Sequence, residues 1–299
     1  MKGKPKIIVI VGPTASGKSG LAIRLAQKFN GEIISADSRQ VYRGMNIGTG
    51  KVSTRELRLI PHHLINVISP KKEFTAADFK SRANRAIADI SVRGKLPIIV
   101  GGTGFYIDAL VYDLSLPDVP PDKRLRAKLE KQTAEQLFAQ LKKLDLRRAR
   151  TIDRHNKHRL IRALEIIRTI GRVPEISKNS DFDVLWIGLN PKDLERRIRI
   201  RLDQRLRQGM IREVQKLHKS GISYKRFHDF GLEYRWISEY LKGKLSKTEM
   251  KNGLGTAIRQ YSKRQMTWFK RNKDIRWIKN LTEATRLGRA FLRFPQPLH

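Results

Sequence analysis

Residues 7–19 read IIVIVGPTASGKS: the apolar run Ile7–Val11 leads directly into Gly12-Pro13-Thr14-Ala15-Ser16-Gly17-Lys18-Ser19. The run has the length of a strand, and Gly20–Phe29 beyond it has the apolar spacing of an amphipathic helix. The eight residues between satisfy GxxxxGK[ST] in full. Its glycines let the backbone curl so that successive N–H groups converge on phosphate oxygens. Lys18 brings a positive charge to the same place, and the Ser19 hydroxyl is placed for a magnesium ion. Strand, glycine-rich turn and helix are the context this motif requires. Gly12–Ser19 is therefore assigned as a phosphate-binding loop, with ATP or another nucleotide among the ligands such a loop takes.

The same rhythm recurs along the chain. Glu32–Ala36 is a second predicted strand, running into the polar loop SADSRQVY, and Pro97–Val100 a third, again followed by glycines. Between them the segment from Ala77 to Gly94 has helical periodicity. Strands alternating with helices indicate a parallel sheet with its ligand loops at the strand C-termini. Three prolines in Ser115–Asp122 break the pattern. Lys123–Ile170 is helical and basic with no clear strand, and Val184–Asn190 returns to strand character. A helix follows Asn190-Pro191, with Leu194, Ile198, Leu202 and Leu206 spaced by four, and a short strand is predicted at Asp274–Ile278. The expected fold is α/β: a P-loop nucleotide-kinase-like parallel sheet flanked by helices, with a helical insertion. The expected divisions are 1–116, 117–179 and 180–299.

Composition narrows the partners. The 299 residues carry 63 Lys+Arg against 28 Asp+Glu, a formal charge of +35. The excess is spread along the chain and richest in the last 49 residues, with 12 basic side chains against 2 acidic. Such a surplus attracts polyanions, although charge alone does not separate RNA from DNA, a membrane surface or a generally basic proteome. No apolar run approaches the roughly 18–20 residues that span a bilayer, and the N-terminus lacks a signal-peptide core. The absence of cysteine excludes disulfides, thiolate metal sites and thiol catalysis. A soluble cytoplasmic protein is expected.

The phosphate chemistry is not that of a typical ATPase. Such enzymes place a magnesium-holding carboxylate after a second apolar strand. Here Pro97–Val100 ends in Gly101-Gly102-Thr103-Gly104 instead. Asp37 is the nearest carboxylate that follows a strand, and it fits either a surface loop or a group that orients or deprotonates a nucleophile. Wound as a helix, Ala257–Arg271 puts Arg259, Lys263, Arg264, Lys270 and Arg271 on one arc and Ala257, Ile258, Tyr261, Trp268 and Phe269 on the opposite one. A solvated helix and a phosphate-contacting helix share that pattern.

GPTASGKS, DSRQVYRGMNIGTGK (Asp37–Lys51), GGTGFY (Gly101–Tyr106), DRHNKHRLIRALE (Asp153–Glu165) and RQYSKRQMTWFK (Arg259–Lys270) occur in order. Together they resemble the bacterial tRNA dimethylallyltransferases, also called tRNA isopentenyltransferases. The resemblance implies transfer of a dimethylallyl group from dimethylallyl diphosphate to N6 of adenine 37 beside the tRNA anticodon, with Mg²⁺ as cofactor and Ser19 as its ligand. It implies that Gly12–Ser19, with Arg197 and Arg201, holds the diphosphate, that Asp37 takes the proton from the amine, and that Thr103 stands beside the reacting groups. Arg197 and Arg201 are four apart on one helix face, a spacing shared by a clamp and by a solvated face. It implies tRNA contact by Asp37, Ser38, Arg39 and Gln40. The same is implied for His158, Arg159, Leu160, Ile161 and Arg162, and for Lys263, Arg264, Gln265, Met266, Thr267, Trp268, Phe269 and Lys270. The family form has different residues around His155-Asn156 and at GLEYR (Gly231–Arg235), both in segments expected to face tRNA. A monomer suffices for one tRNA and one site. The alternatives are an isopentenyltransferase acting on free adenine nucleotides, a nucleotide kinase, and a non-catalytic P-loop protein that binds nucleic acid.

Overall fold

In the computed structural model, which describes residues 4–174 and 180–293, the decisive stretch forms strand β1 (Lys6–Val11) and helix α1 (Lys18–Lys28). There follow β2 (Gly31–Ser35), α2 (Thr54–Leu59), β3 (His62–His63), α3 (Ala76–Val92), β4 (Leu96–Gly101) and α4 (Gly104–Val111). Four helices come next: α5 (Lys123–Leu129), α6 (Ala134–Leu144), α7 (Leu146–Thr151) and α8 (Lys157–Ile170). The chain then returns through β5 (Asp183–Leu189), α9 (Leu194–Arg207), α10 (Met210–Lys219), α11 (Tyr224–Phe230), α12 (Leu232–Leu241), α13 (Lys247–Phe269), β6 (Arg276–Ile278) and α14 (Leu281–Arg293).

The six strands form one sheet in the order β3-β2-β4-β1-β5-β6, and every pair in it is parallel. β1 lies in the middle, with Ile8 opposite both Ile98 and Leu185. The chain builds outward to one side of β1 and then to the other. The C-terminal end of β1, where Gly12 begins the phosphate loop, is thus the point at which the winding changes direction, the usual crevice for ligands in open parallel sheets.

Alternation along β1 explains how the sheet is buried. Ile7, Val9 and Val11 belong to one apolar layer, together with residues of α3, α4 and α9 to α13, and Ile8 and Ile10 to the other, with α1 and α14. A strand covered on both faces has no polar side, so Ile7–Val11 reads as a continuous apolar run. Capping boxes start α2 (Ser53, Glu56), α3 (Thr75, Asp78), α6 (Thr133, Gln136) and α13 (Ser246, Glu249). α1 differs: its N-cap is Gly17 at φ 94°, with no side-chain cap. That left-handed conformation favours glycine, and it leaves the first N–H groups of the helix for a ligand rather than a cap.

Two compact units are distinguished, one comprising Met1–Tyr112 with Asn179–His299 and the other Asp113–Lys178. The boundary expected at residue 179 lies outside the described residues. The smaller unit has its own core, in which Leu125, Leu129, Leu137, Leu141, Leu160 and Leu164 pack together. Within it Glu165, 1 % exposed, accepts from Asp122 N–H (2.7 Å), from Arg126 through both Nε and Nη2, and from Arg162 Nη1 (2.5 Å). Burial alone would raise the carboxyl, but the two guanidiniums and the backbone bond hold it below its ordinary value.

β3 escaped the sequence reading, because two histidines carry no strand periodicity; their pairing is set by Ile33 and Ile34 beside them. The helix expected to follow Asn190-Pro191 begins at Leu194, and α13 starts at Lys247, well before the basic arc.

Candidate active site

A polar cleft opens at the C-terminal edge of the sheet. Thr14, Lys18 and Ser19 line it from the phosphate loop, Asp37 and Gln40 from the loop after β2, Gly101 from β4, and Arg201 and Arg205 from α9. Three cations and one carboxylate therefore converge there. Burial lowers Lys18 to about 8, with Arg201 and Arg205 repelling its charge and Asp37 partly offsetting them. Arg201 is lowered to about 10, again chiefly by burial and then by Arg205, with Glu233 and Asp37 opposing. Arg205 is paired with Glu233 at 2.8 Å. A cleft in which cations depress one another is built to take an anion.

Asp37 is held by its own loop. Its Oδ1 accepts from the N–H groups of Arg39 (2.8 Å) and Gln40 (3.3 Å), which fixes the carboxylate where the chain leaves β2. Ser38 N–H donates to Thr103 Oγ1 at 3.1 Å. Thr103 occupies the N-cap of α4 yet makes no capping bond; its hydroxyl serves the neighbouring loop instead. Gln40 accepts from Ser35 Oγ at 3.0 Å. The strap from Asn46 to Gly48 is anchored by Glu213, whose carboxylate accepts from three successive backbone N–H groups and from the Tyr234 hydroxyl at 2.7–3.0 Å. Lys51, lowered to about 8 chiefly by burial, donates to Tyr42 O and to the side chains of Asn46 and Asn66.

Several expected site residues are brought together and others are not. Lys18, Ser19, Asp37 and Arg201 share the cleft, and Arg205 joins them although the sequence reading passed over it. The signal was present, since Arg205 continues the four-residue spacing from Arg197 and Arg201. Arg197 is exposed, ion-paired to Asp193 at 2.7 Å, and outside the cleft lining. Its Nη1 still lies 3.8 Å from where a Cβ on Gly17 would stand, so it flanks the loop.

The segments expected to meet tRNA divide by burial. His158, Arg159, Lys263, Arg264, Thr267 and Lys270 are exposed. Leu160, Ile161 and Phe269 are core side chains, turned inward by i, i+3, i+4 packing. Gln265 is also turned inward, being 6 % exposed and bonded to the phosphate loop. Arg39 is spent on the carbonyls of Phe230 (2.8 Å) and Asp229 (3.2 Å). Arg162 is drawn to Glu165. Met266 and Trp268 are half-buried, Trp268 donating from Nε1 to Asp108 at 3.0 Å while the Arg271 guanidinium stacks 4.0 Å over its ring.

The donor set suits a hard cation bound together with a ligand. No group of three or more His, Cys, Asp or Glu side chains able to hold a metal occurs among the described residues. The cleft instead offers the Ser19 hydroxyl, an oxygen donor of the kind that holds Mg²⁺ jointly with substrate phosphates and water. No helix among the described residues is long and apolar enough to cross a membrane.

Comparison with known proteins shows what the chain as a whole is similar to. The family model described as IPP transferase matches residues 40–272. The tRNA dimethylallyltransferase of Caldanaerobacter subterraneus is 40% identical over 287 residues, covering 91% of each chain. Among solved structures, the full-length tRNA isopentenylpyrophosphate transferase of Bacillus halodurans superposes with a TM-score of 0.74 at 36% identity, covering 97% of both chains. A eukaryotic dimethylallyltransferase acting on tRNA gives a TM-score of 0.79 at 30% identity, over 96% of this chain and 77% of its own.

Proposed function

This chain belongs to the IPP transferase family, and from that premise we propose that it transfers a dimethylallyl group from dimethylallyl diphosphate to N6 of adenine 37 in a tRNA anticodon loop, releasing diphosphate. The observation that carries the proposal is one cleft in which the phosphate-loop lysine and two arginines face a single loop carboxylate, Asp37.

The chemistry follows from that pairing. The C1–O bond of the allylic diphosphate breaks and its electron pair leaves with the diphosphate. Lys18, Arg201 and the uncapped N–H groups at the start of α1 meet the developing charge. Ser19 would hold a Mg²⁺, which would supply further charge neutralisation when bound. The N6 lone pair, delocalised into the adenine ring, is a weak nucleophile. Asp37 accepts the N6 proton as the C–N bond forms and later releases it to water. Thr103, hydrogen-bonded to Ser38, orients the Asp37 loop. An adenine in a loop is extruded more cheaply than one in a duplex, since no Watson–Crick partner is lost. The exposed basic side chains of α8 and α13 hold the RNA backbone. The protein works as a monomer in the cytoplasm, where the tRNA is.

The test incubates labelled dimethylallyl diphosphate with tRNA, with AMP, and with neither. Label should enter tRNA alone. Transfer to AMP, or no transfer to tRNA by folded protein, overturns the proposal; ATP consumption with a phosphorylated product would instead point to a nucleotide kinase.

A further inference from the structure

The phosphate loop and the Asp37 wall are joined by one buried side chain. Gln265 of α13 is 6 % exposed, and both ends of its amide are engaged. Its Oε1 accepts from Thr14 N–H at 2.8 Å, and its Nε2 donates to the Gly102 carbonyl at 2.9 Å. The amide fits only one way round, because a backbone N–H needs the oxygen and a carbonyl needs the nitrogen. Gly102 is what admits it: a Cβ there would lie 2.2 Å from Gln265 Nε2. From Gly102 the connection continues to Thr103, through its hydroxyl to Ser38 N–H, and so to Asp37.

We infer that Gln265 is a positioning residue, which fixes the phosphate loop against the Gly101–Gly104 turn and so sets the distance between bound diphosphate and Asp37. This rests on the function proposed above. Group transfer depends steeply on such registration, a 1 Å misplacement costing roughly a hundredfold in rate. Neighbours of Gln265 on α13, Lys263 and Arg264, are exposed; Gln265 itself is turned inward and acts through the loop rather than on RNA.

Three measurements on the full-length protein decide it. Gln265→Met, close in size but unable to make either bond, should weaken binding of inorganic pyrophosphate about tenfold in the absence of RNA. In the complete reaction it should lower kcat roughly ten- to a hundredfold and raise the KM for dimethylallyl diphosphate, with tRNA affinity within twofold of wild type. Gly102→Ala, which fills the space of the amide, should reproduce the defect. Gln265→Ala combined with Gly102→Ala should be no worse than the poorer of those same two substitutions made singly, because both break one contact. Wild-type kcat and pyrophosphate affinity in Gln265→Met overturn the inference, as does a loss confined to tRNA affinity or a double variant whose losses multiply. If Gln265→Met does not fold, Gly102→Ala and the cycle carry the same decision. Failure of wild-type protein to label tRNA, with pyrophosphate binding still dependent on Gln265, would refute the proposed function and leave the loop-positioning role standing.

Discussion

At the scale of single residues, Asp37 and Lys18 do opposite work in one cleft. Asp37→Ala removes the proton acceptor and should lower kcat by roughly 10²–10⁴, while tRNA affinity, measured by filter binding, changes little. Lys18 is a half-buried ammonium lowered to about 8 by desolvation among arginines, so the folded state bears a cost for keeping it charged. Lys18→Met should abolish pyrophosphate binding and yet be more stable than wild type at pH 7, by about 1–3 kcal/mol. The sign follows from linkage. Between about pH 8 and the ordinary lysine value of 10.5 the unfolded chain holds more protons than the folded one. The Lys18 contribution to stability therefore rises with pH across that window. Denaturant titrations of both proteins at pH 7 and pH 10 should show the variant's advantage shrinking; a constant or growing advantage would refute the assignment of Lys18 as a depressed cation.

At the scale of elements, the strap from Asn46 to Gly48 depends on a carboxylate far along the chain. Glu213→Ala leaves three backbone N–H groups and the Tyr234 hydroxyl without their acceptor, and should cost roughly 3 kcal/mol of stability in urea denaturation. A change under about 0.5 kcal/mol would mean that water replaces the carboxylate. Glu213 also shows where sequence stops being informative. The phosphate loop was legible because it is local: strand, eight residues and helix follow one another. Strands β1, β2, β4 and β5 were legible because a sheet covered on both faces writes itself as apolar runs. Asp37 was legible by position after a strand. The loop partners of Glu213 and Gln265 were not, because each acts on a loop more than 150 residues away, and no local pattern records that distance; Arg205 could have been found from its four-residue spacing, but its contact with the Gly48 carbonyl could not. The basic arc of α13 was legible as an arc, and on the same wheel Gln265 falls between Tyr261 and Ile258 on the opposite, inward arc; what no local pattern recorded is the loop its amide binds.

At the scale of the whole molecule, the surplus of +35 becomes a statement about salt. Exposed cations on α8 and α13 should make the tRNA association constant fall steeply as ionic strength rises, and Lys263→Ala or Arg264→Ala should each reduce the log–log slope by about 1. A slope near zero would remove RNA phosphates as the reason for the charge. In the smaller unit, Glu165→Ala removes the shared acceptor of Asp122 N–H and of the partly exposed Arg126 and Arg162 guanidiniums and should destabilise that unit by about 1–3 kcal/mol, read as an early transition in thermal melting, while pyrophosphate binding by the other unit persists below that transition. The sheet order has a last consequence, and it concerns synthesis. β1 leaves the ribosome before either of its partners, Ile98–Gly101 on one side and Asp183–Gly188 on the other. Until both have emerged, Ile7–Val11 is an unpaired apolar strand of the kind that seeks wrong partners. The loop it carries must then wait still longer for Gln265 on α13. The diphosphate site, though written in the first twenty residues, is thus among the last parts of the nascent chain to be completed, and chains stalled before α13 should hold no functional phosphate loop.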